Sequence, residues 1–241
     1  MKFRIPLAVF ALAALAGAQE IAFERSFPVS GPVELNAATH AGSISVRAGT
    51  GSEVRVRGAI RPNGDSRRLD AQASGIQQNP PVRQSGNIIT IERLPESDLR
   101  HRVSIRYEIE TPAVTRLAAE AGAGQVSVEG LHGDVKVRTG AGKISIAGVH
   151  GAIDAQSGAG SINVEQATSA PVSARTSAGS IMVRLPGSGF DVKAHTSAGR
   201  VQIAGASQPA ARSPRQDINA KLRGGGPAVD LSTAAGGIRV E

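Results

Sequence analysis

Three features of the sequence predict an all-β fold of the β-solenoid kind, in which short strands stack as successive rungs with Gly-rich turns. The first is a repeat: an Ala-Gly phrase returns as AGQVSV from Ala123, AGKISI from Ala141, AGSINV from Ala159, AGSIMV from Ala178 and AGRVQI from Ala198. The spacings are 18, 18, 19 and 20, and so steady a period is the mark of stacked repeats. The second is strict alternation in the segments upstream of each phrase, at residues 135–139, 153–157, 172–176 and 192–196. Apolar residues at every second position mark a half-buried strand, because successive side chains point to opposite faces. The third is the chemistry of the aligned columns. One holds Leu35, Leu117, Val135, Ile153, Val172, Val192 and Val229; another holds Ile44, Val126, Ile144, Ile162, Ile181, Val201 and Ile238. These are expected inside, with Lys136, Asp154, Lys193, Ser145, Asn163 and Gln202 facing water.

An 18-residue unit with two strands of about five residues cannot bury its apolar face alone, but copies stacked on each other can. The Gly of each Ala-Gly pair suits a corner that needs positive φ or close packing between rungs. A column of Thr39, Thr139, Ser157, Thr176, Thr196 and Thr233, broken by Ala121, is placed to hydrogen-bond a neighbouring rung or cap the turn. A run of hairpins in an ordinary sheet is the competing architecture, since Gly-containing loops of this length also close hairpins. The constancy of the period favours the solenoid.

Taken in order, residues 1–18 read as an export signal. Lys2 and Arg4 precede an apolar stretch over residues 5–15, and Ala16-Gly17-Ala18 is a small-x-small cleavage site. The apolar run falls short of the ~20 residues that span a bilayer, which predicts cleavage before Gln19 rather than an anchor. Residues 19–241 then form one repetitive β-domain. Strands begin with Phe27, Val29, Val33 and Leu35, continue through the first phrase at Ala41, and resume as EVRVRGAI from Glu53. Residues 61–86, rich in Arg, Gln, Asn, Pro and Ser, predict long loops around one short element. No sustained 3.6-residue stripe predicts a helix anywhere in the mature chain. NIITIER from Asn87 and VSIRYEIE from Val103 return to strand pattern, and regular repeats run over about 113–203. Residues 205–216 read as a surface insertion and 217–222 as a degenerate copy, which accounts for the interval of 37 between Ala198 and Ala235. Gly224-Gly225-Gly226-Pro227 is then a turn before a closing rung at 229–240.

The order VSIRYEIETPAVTRL, then GAGQVSVEGLHGDVKVRTGAGKISIAGVHGAIDAQSGAGSINV, resembles the bacterial putative-adhesin family of unknown function, also described as toast-rack domains. The resemblance covers roughly residues 30–240. It implies a β-helical fold at the cell envelope, and it brings no active-site motif to carry across.

The chemistry-bearing residues are few. His132 and His150 share a repeat position, in LHG and VHG, so stacking brings them within about one strand spacing of ~4.8 Å. Two imidazoles that close suit a transition metal or joint titration, but no third ligand is evident, and a duplicated corner accounts for the pair. Asp134, Asp154, Asp191 and Asp230 lie near strand starts without the calcium β-roll signature, which leaves them as solvated face residues. No GxSxG, HExxH or P-loop occurs, and there is no Cys. No catalytic, cofactor or metal residue is therefore assigned, and no cofactor is expected. One Tyr, no Trp and five Phe leave little surface for stacking on sugars or bases.

The formal net charge is +7, and removing Lys2 and Arg4 with the leader leaves 25 basic against 20 acidic residues. Arg55, Arg57, Arg61, Arg67, Arg68, Arg100, Arg102 and Arg106 concentrate the basic charge in the N-terminal half. They suit anionic envelope polymers, glycans, headgroups or an acidic envelope protein, and solvated strand faces account for them equally well. Nucleic acid is not expected, given export and the absence of a binding module. The expectation is an exported, non-catalytic β-repeat protein in the periplasm, at the cell surface or outside the cell. Its role is structural or adhesive, through outward residues such as Arg138, Gln156, Arg175 and His195 that share one column. The alternatives are an envelope-stress sensor or scaffold subunit, or a polysaccharide-active β-helix enzyme.

Overall fold

A computed structural model describes residues 21–63, 67–94, 103–205 and 215–241; the leader lies outside them. Along the chain, β1 (Ile21–Pro28), β2 (Val33–Ala41), β3 (Ile44–Gly49) and β4 (Glu53–Pro62) precede the helix α1 (Arg67–Gln78). Next come β5 (Val82–Ser85), β6 (Ile88–Ile91) and β7 (Val103–Pro112). The repeats supply pairs: β8 (Thr115–Ala123) with β9 (Val126–Glu129), β10 (Val135–Ala141) with β11 (Ile144–Val149), and β12 (Ile153–Ala159) with β13 (Ile162–Gln166). The pairs continue with β14 (Val172–Ala178) and β15 (Ile181–Arg184), then β16 (Phe190–Ala198) and β17 (Val201–Ile203). The chain ends with β18 (Gln216–Leu222), β19 (Ala228–Ala235) and β20 (Ile238–Val240).

Each rung gives one strand to each of two ten-stranded sheets, and its strands run parallel to those of the rungs on either side. One sheet has the order β1-β4-β7-β3-β9-β11-β13-β15-β20-β17; the other is β18-β16-β19-β14-β12-β10-β8-β2-β6-β5. Both predicted columns are real ladders. Leu35, Leu117, Val135, Ile153, Val172, Val229 and Val192 are successive partners, as are Ile44, Val126, Ile144, Ile162, Ile181, Ile238 and Val201. All are buried, and they face each other across a single core.

The corners explain the repeat phrase. Gly142 has φ +146°, and a Cβ there would stand 2.1 Å from the Gly124 carbonyl oxygen of the rung beneath. Both reasons for glycine therefore hold at one position. The hydroxyl column joins rungs to each other. Thr139 donates to Gly124 O, Ser157 to Gly142 O, Thr176 to Gly160 O, Thr233 to Gly179 O and Thr196 to Gly236 O, at 3.0 to 3.2 Å.

Three expectations are corrected. First, residues 229–240 do not close the stack: β19 lies between β14 and β16, and β20 between β15 and β17. Their pattern matches that of any rung, so either face can pair, and periodicity does not encode spatial order. Second, the segment expected as a degenerate copy, β18, is no rung. It returns antiparallel along β16 and forms the sheet's edge, with Leu222 against Phe190. Third, residues 67–78 form α1, which packs on β1 and β4. Its stripe is only Leu69, Ala73 and Ile76, all buried, too short to stand out among polar neighbours. Arg25 Nη2 donates to Gln78 O and Gln77 Nε2 to Ala22 O, holding the helix on β1.

Candidate functional site

The main groove forms on the outer face where three antiparallel strands extend the first sheet. β4 runs antiparallel to both β1 and β7, and β3 lies parallel to β7. Alternation on these strands sends Arg55 and Arg57 of β4, Arg106, Glu108 and Glu110 of β7, and Ser45 and Arg47 of β3 to the same side. They surround a groove of about 360 Å³. Some of this charge is spoken for. Arg47 pairs with Glu110 at 2.7 Å, and Arg55 bonds Glu53 and stands 3.6 Å from Glu24. The hydrogen bond and charge of Glu53 push the Arg55 pKa further up. Arg57 and Arg106 differ: among the described residues neither forms an ion pair, although Glu24 and Glu108 are the register partners of Arg57. Two unpaired guanidiniums beside the Ser43 and Ser45 side chains can take up carboxylate, phosphate or sulfate oxygens in a forked geometry.

The structure thus brings together Arg55, Arg57 and Arg106 from the predicted basic set. Arg61 continues the exposed face of β4. The side chains of Arg67 and Arg68, and Arg100 and Arg102 altogether, lie outside the described residues. Arg47 was missed, because it sits inside a repeat phrase and reads there as an ordinary outward residue.

The second polar face belongs to the other sheet. Arg138, Gln156, Arg175 and His195 do share one outward column, with Arg138 Nε donating to Gln156 Oε1 at 3.4 Å. Ser232 of the intercalated β19, however, stands between Arg175 and His195. Beyond His195 the column ends in Asp217.

His132 and His150 stack as the repeat implies, with ring centroids 4.2 Å apart and planes 24° from parallel. Imidazole lone pairs lie in the ring plane, so stacked rings direct them alongside each other rather than toward one ion. Among the described residues no group of three His, Cys, Asp or Glu is placed to hold a metal. Asp134 is exposed and its carboxylate accepts from the Ala152 N–H at 3.0 Å, and Asp154 accepts from Gln156. Asp191 departs from the solvated reading: its Oδ1 is buried beside Gly225 without a hydrogen bond among the described residues.

Two sheets built mainly of parallel strands, stacked rung by rung, define a β-solenoid-like protein. The chain belongs to the Toastrack DUF4097 family, whose profile matches residues 29–241. Among solved structures, the chain is similar to a putative cell adhesion protein from Clostridium sporogenes, at 12% identity over 91% of this chain and 98% of that one, with a TM-score of 0.47. It is also similar to putative adhesins from Parabacteroides merdae (10% identity, 93% and 98% covered, TM-score 0.35) and Bacteroides fragilis (11%, 91% and 97%, TM-score 0.30). No curated protein matches the chain. Among the described residues no helix is long and apolar enough to cross a membrane.

Proposed function

We propose that the protein is an exported binding module that grips an anionic polymer of the cell envelope through the groove between β3, β4 and β7. The observation that carries this reading is the pair of arginines, Arg57 and Arg106, left without an acidic partner in a groove where the neighbouring arginines are paired. A rigid stack presents this groove with little backbone ordering cost, because β3, β4 and β7 are each hydrogen-bonded on both sides. The leader supports export.

The test is binding of the purified protein to envelope fractions and to an array of neutral and acidic glycans across a salt series. Saturable, selective binding to acidic glycans is expected to persist at moderate salt. Charge-assisted hydrogen bonds of about 1.5–3 kcal/mol each imply a loss of roughly 10- to 100-fold for Arg57→Ala or Arg106→Ala alone, and a larger loss for the two together. Arg175→Ala, on the other sheet, leaves binding unchanged. Unselective binding that disappears with salt, or a double variant that binds as well as the parent, sinks the proposal.

A further inference from the structure

The last rung carries a side-chain set that the others do not repeat. The copies approaching the corner read RTGAG from Arg138, QSGAG from Gln156, RTSAG from Arg175 and HTSAG from His195. Only the last joins a His to a Ser two residues on, and those two residues share the outward face of β16. Of the four strands that carry these copies, β10, β12, β14 and β16, only β16 lies beside an antiparallel strand, β18, whose register sets Asp217 directly across from His195.

The hydrogen bonds settle which nitrogen does what. His195 Nδ1 bonds Asp217 Oδ1. The hydrogen bond and charge of His195, together with the charge of Arg215, hold the Asp217 carboxyl below its usual range. An ionised carboxylate only accepts, so Nδ1 donates to it, and in the neutral imidazole this leaves the Nε2 lone pair for a hydroxyl proton. Ser197 Oγ lies 3.4 Å from Nε2. This is the order Asp, His Nδ1–H, His Nε2, Ser by which an imidazole takes a hydroxyl proton as the oxygen attacks a carbonyl.

The backbone adds a donor. In each interior rung the corner glycine N–H is used: Gly124 donates to Ala141 O, Gly142 to Ala159 O, Gly160 to Ala178 O, Gly179 to Ala235 O and Gly236 to Ala198 O. Gly199 ends the series, and its N–H has no backbone acceptor among the described residues. It lies two residues along the chain from Ser197. The groove on the other side of His195, of about 440 Å³, is lined by Arg175, Lys193, Asn219 and Asp230 with His195 and Asp217. Beside the His195–Asp217 pair, the two cations Arg175 and Lys193 face one acid, Asp230, and neither forms an ion pair among the described residues, which favours a substrate that carries negative charge.

We propose that Ser197 is a nucleophile, served by His195 and Asp217, that accepts the acyl group of anionic carboxylic esters. Its Oγ bonds to the carbonyl carbon as the bond from that carbon to the leaving oxygen breaks. The serine proton passes to His195 Nε2 and from there to the departing alkoxide. A water activated by the same nitrogen then attacks the acyl-serine, releases the acid and restores Ser197. This activity goes beyond the binding reading and does not rest on it, since the two sites lie on different sheets.

The experiment uses the purified protein, a fluorophosphonate probe located by peptide mass spectrometry, and hydrolysis of p-nitrophenyl succinate against p-nitrophenyl acetate. One label is expected, on Ser197, with succinate preferred. Ser197→Ala, an exposed change, abolishes both signals without altering the unfolding transition, and Ser177→Ala on the neighbouring pattern leaves both intact. His195→Ala slows labelling roughly 100-fold, as loss of a general base does, and added imidazole restores part of the rate. Labelling no faster than in unfolded protein, spread over several serines, or insensitive to His195→Ala overturns the proposal. So does a drop that imidazole fails to restore, because His195 would then act only as a structural neighbour.

Discussion

The two ends of the stack solve the same problem in different ways. Both have a rung from elsewhere in the chain slipped beneath the outermost one: β2 and β3 lie between β6 and β7 on one side and β8 and β9 on the other, and β19 and β20 lie within the opposite end. The N-terminal end then extends into antiparallel strands, with α1 over β1 and β4 and Phe23 packed edge-on against Tyr107 at 6.3 Å. The C-terminal end has only the β16–β18 hairpin in one sheet and the three-residue β17 at the edge of the other. The hydroxyl ladder differs as well. The C-terminal intercalated rung is bonded on both faces, by Thr233 to Gly179 and by Thr196 to Gly236. At the N-terminal joint the ladder meets Ala121, and Thr39 bonds within its own rung to Ala41 O. Repetition thus builds the middle, while each end depends on long-range insertion and on a cap of its own.

The largest effect follows from the insertion. Deleting residues 228–241 removes an interior strand from each sheet, and with it the partner of β14, β15, β16 and β17. Aggregation and loss of cooperative unfolding are expected, seen by gel filtration and urea titration. Deleting residues 21–28 removes only an edge strand and is expected to leave a folded, weakened protein. A soluble, cooperative C-terminal truncation overturns the assigned strand order.

Within the stack, Gly142→Ala forces a Cβ against the Gly124 carbonyl at 2.1 Å, where backbone on both sides cannot give way. A loss of more than about 3 kcal/mol is expected from strain and broken pairing. Gly86→Ala also sits at positive φ, +59°, but in open space, and costs about 1 kcal/mol. Ile162→Asp, which places a charge on a fully buried position, ranks with Gly142→Ala, whereas Asn163→Asp on the outer face is mild. Urea unfolding of the four variants checks the order.

How much of this was legible depends on where sequence neighbours are also spatial neighbours. From Leu117 to Ile181 each repeat stacks on the next, so alignment alone identified the inward ladders, the hydroxyl column and the corner glycines. The ends were not legible for a physical reason. A strand such as Val229–Thr233 offers the same two hydrogen-bonding edges wherever it is placed, and periodicity carries no record of which neighbours it takes. Arg57 and Arg106 were seen as charge but not as a groove, since their meeting depends on the antiparallel turn-back of β4. The triad-like set at Ser197 was hidden because Asp217 comes opposite His195 only through the antiparallel return of β18, a segment whose sequence reads as a degenerate rung.

The cap at the N-terminal end makes a pH-dependent prediction. Tyr107 is buried, and burial pushes its phenol pKa far up, because the phenolate would lose its hydration. A raised folded value means that the contribution is complete below the unfolded value, about 10, and is lost as pH rises toward the folded value. Stability is therefore expected to fall above about pH 10, with Tyr107→Phe removing that part of the slope. The protein has one Tyr and no Trp, so absorbance reports this phenolate alone. Its appearance together with unfolding supports the assignment, and its appearance in folded protein refutes it.

The smallest effect is a gain, and it bears most directly on the difference between the ends. At the N-terminal joint the ladder position between Thr39 and Thr139 is Ala121, and by the pattern of the other rungs a hydroxyl there would donate to Gly42 O. Threonine fits at the flanking positions of the same ladder, so Ala121→Thr introduces no shape that the stack does not already hold. One hydrogen bond to a backbone carbonyl contributes about 1 kcal/mol, which for a domain of this size corresponds to a Tm increase of about 2–4 °C. Ala121→Val supplies similar volume without the hydroxyl and separates packing from hydrogen bonding. If valine stabilises as much as threonine, the column acts by filling space and the two joints differ only in packing. If only threonine does, the missing hydroxyl is what leaves the N-terminal joint weaker than its C-terminal counterpart.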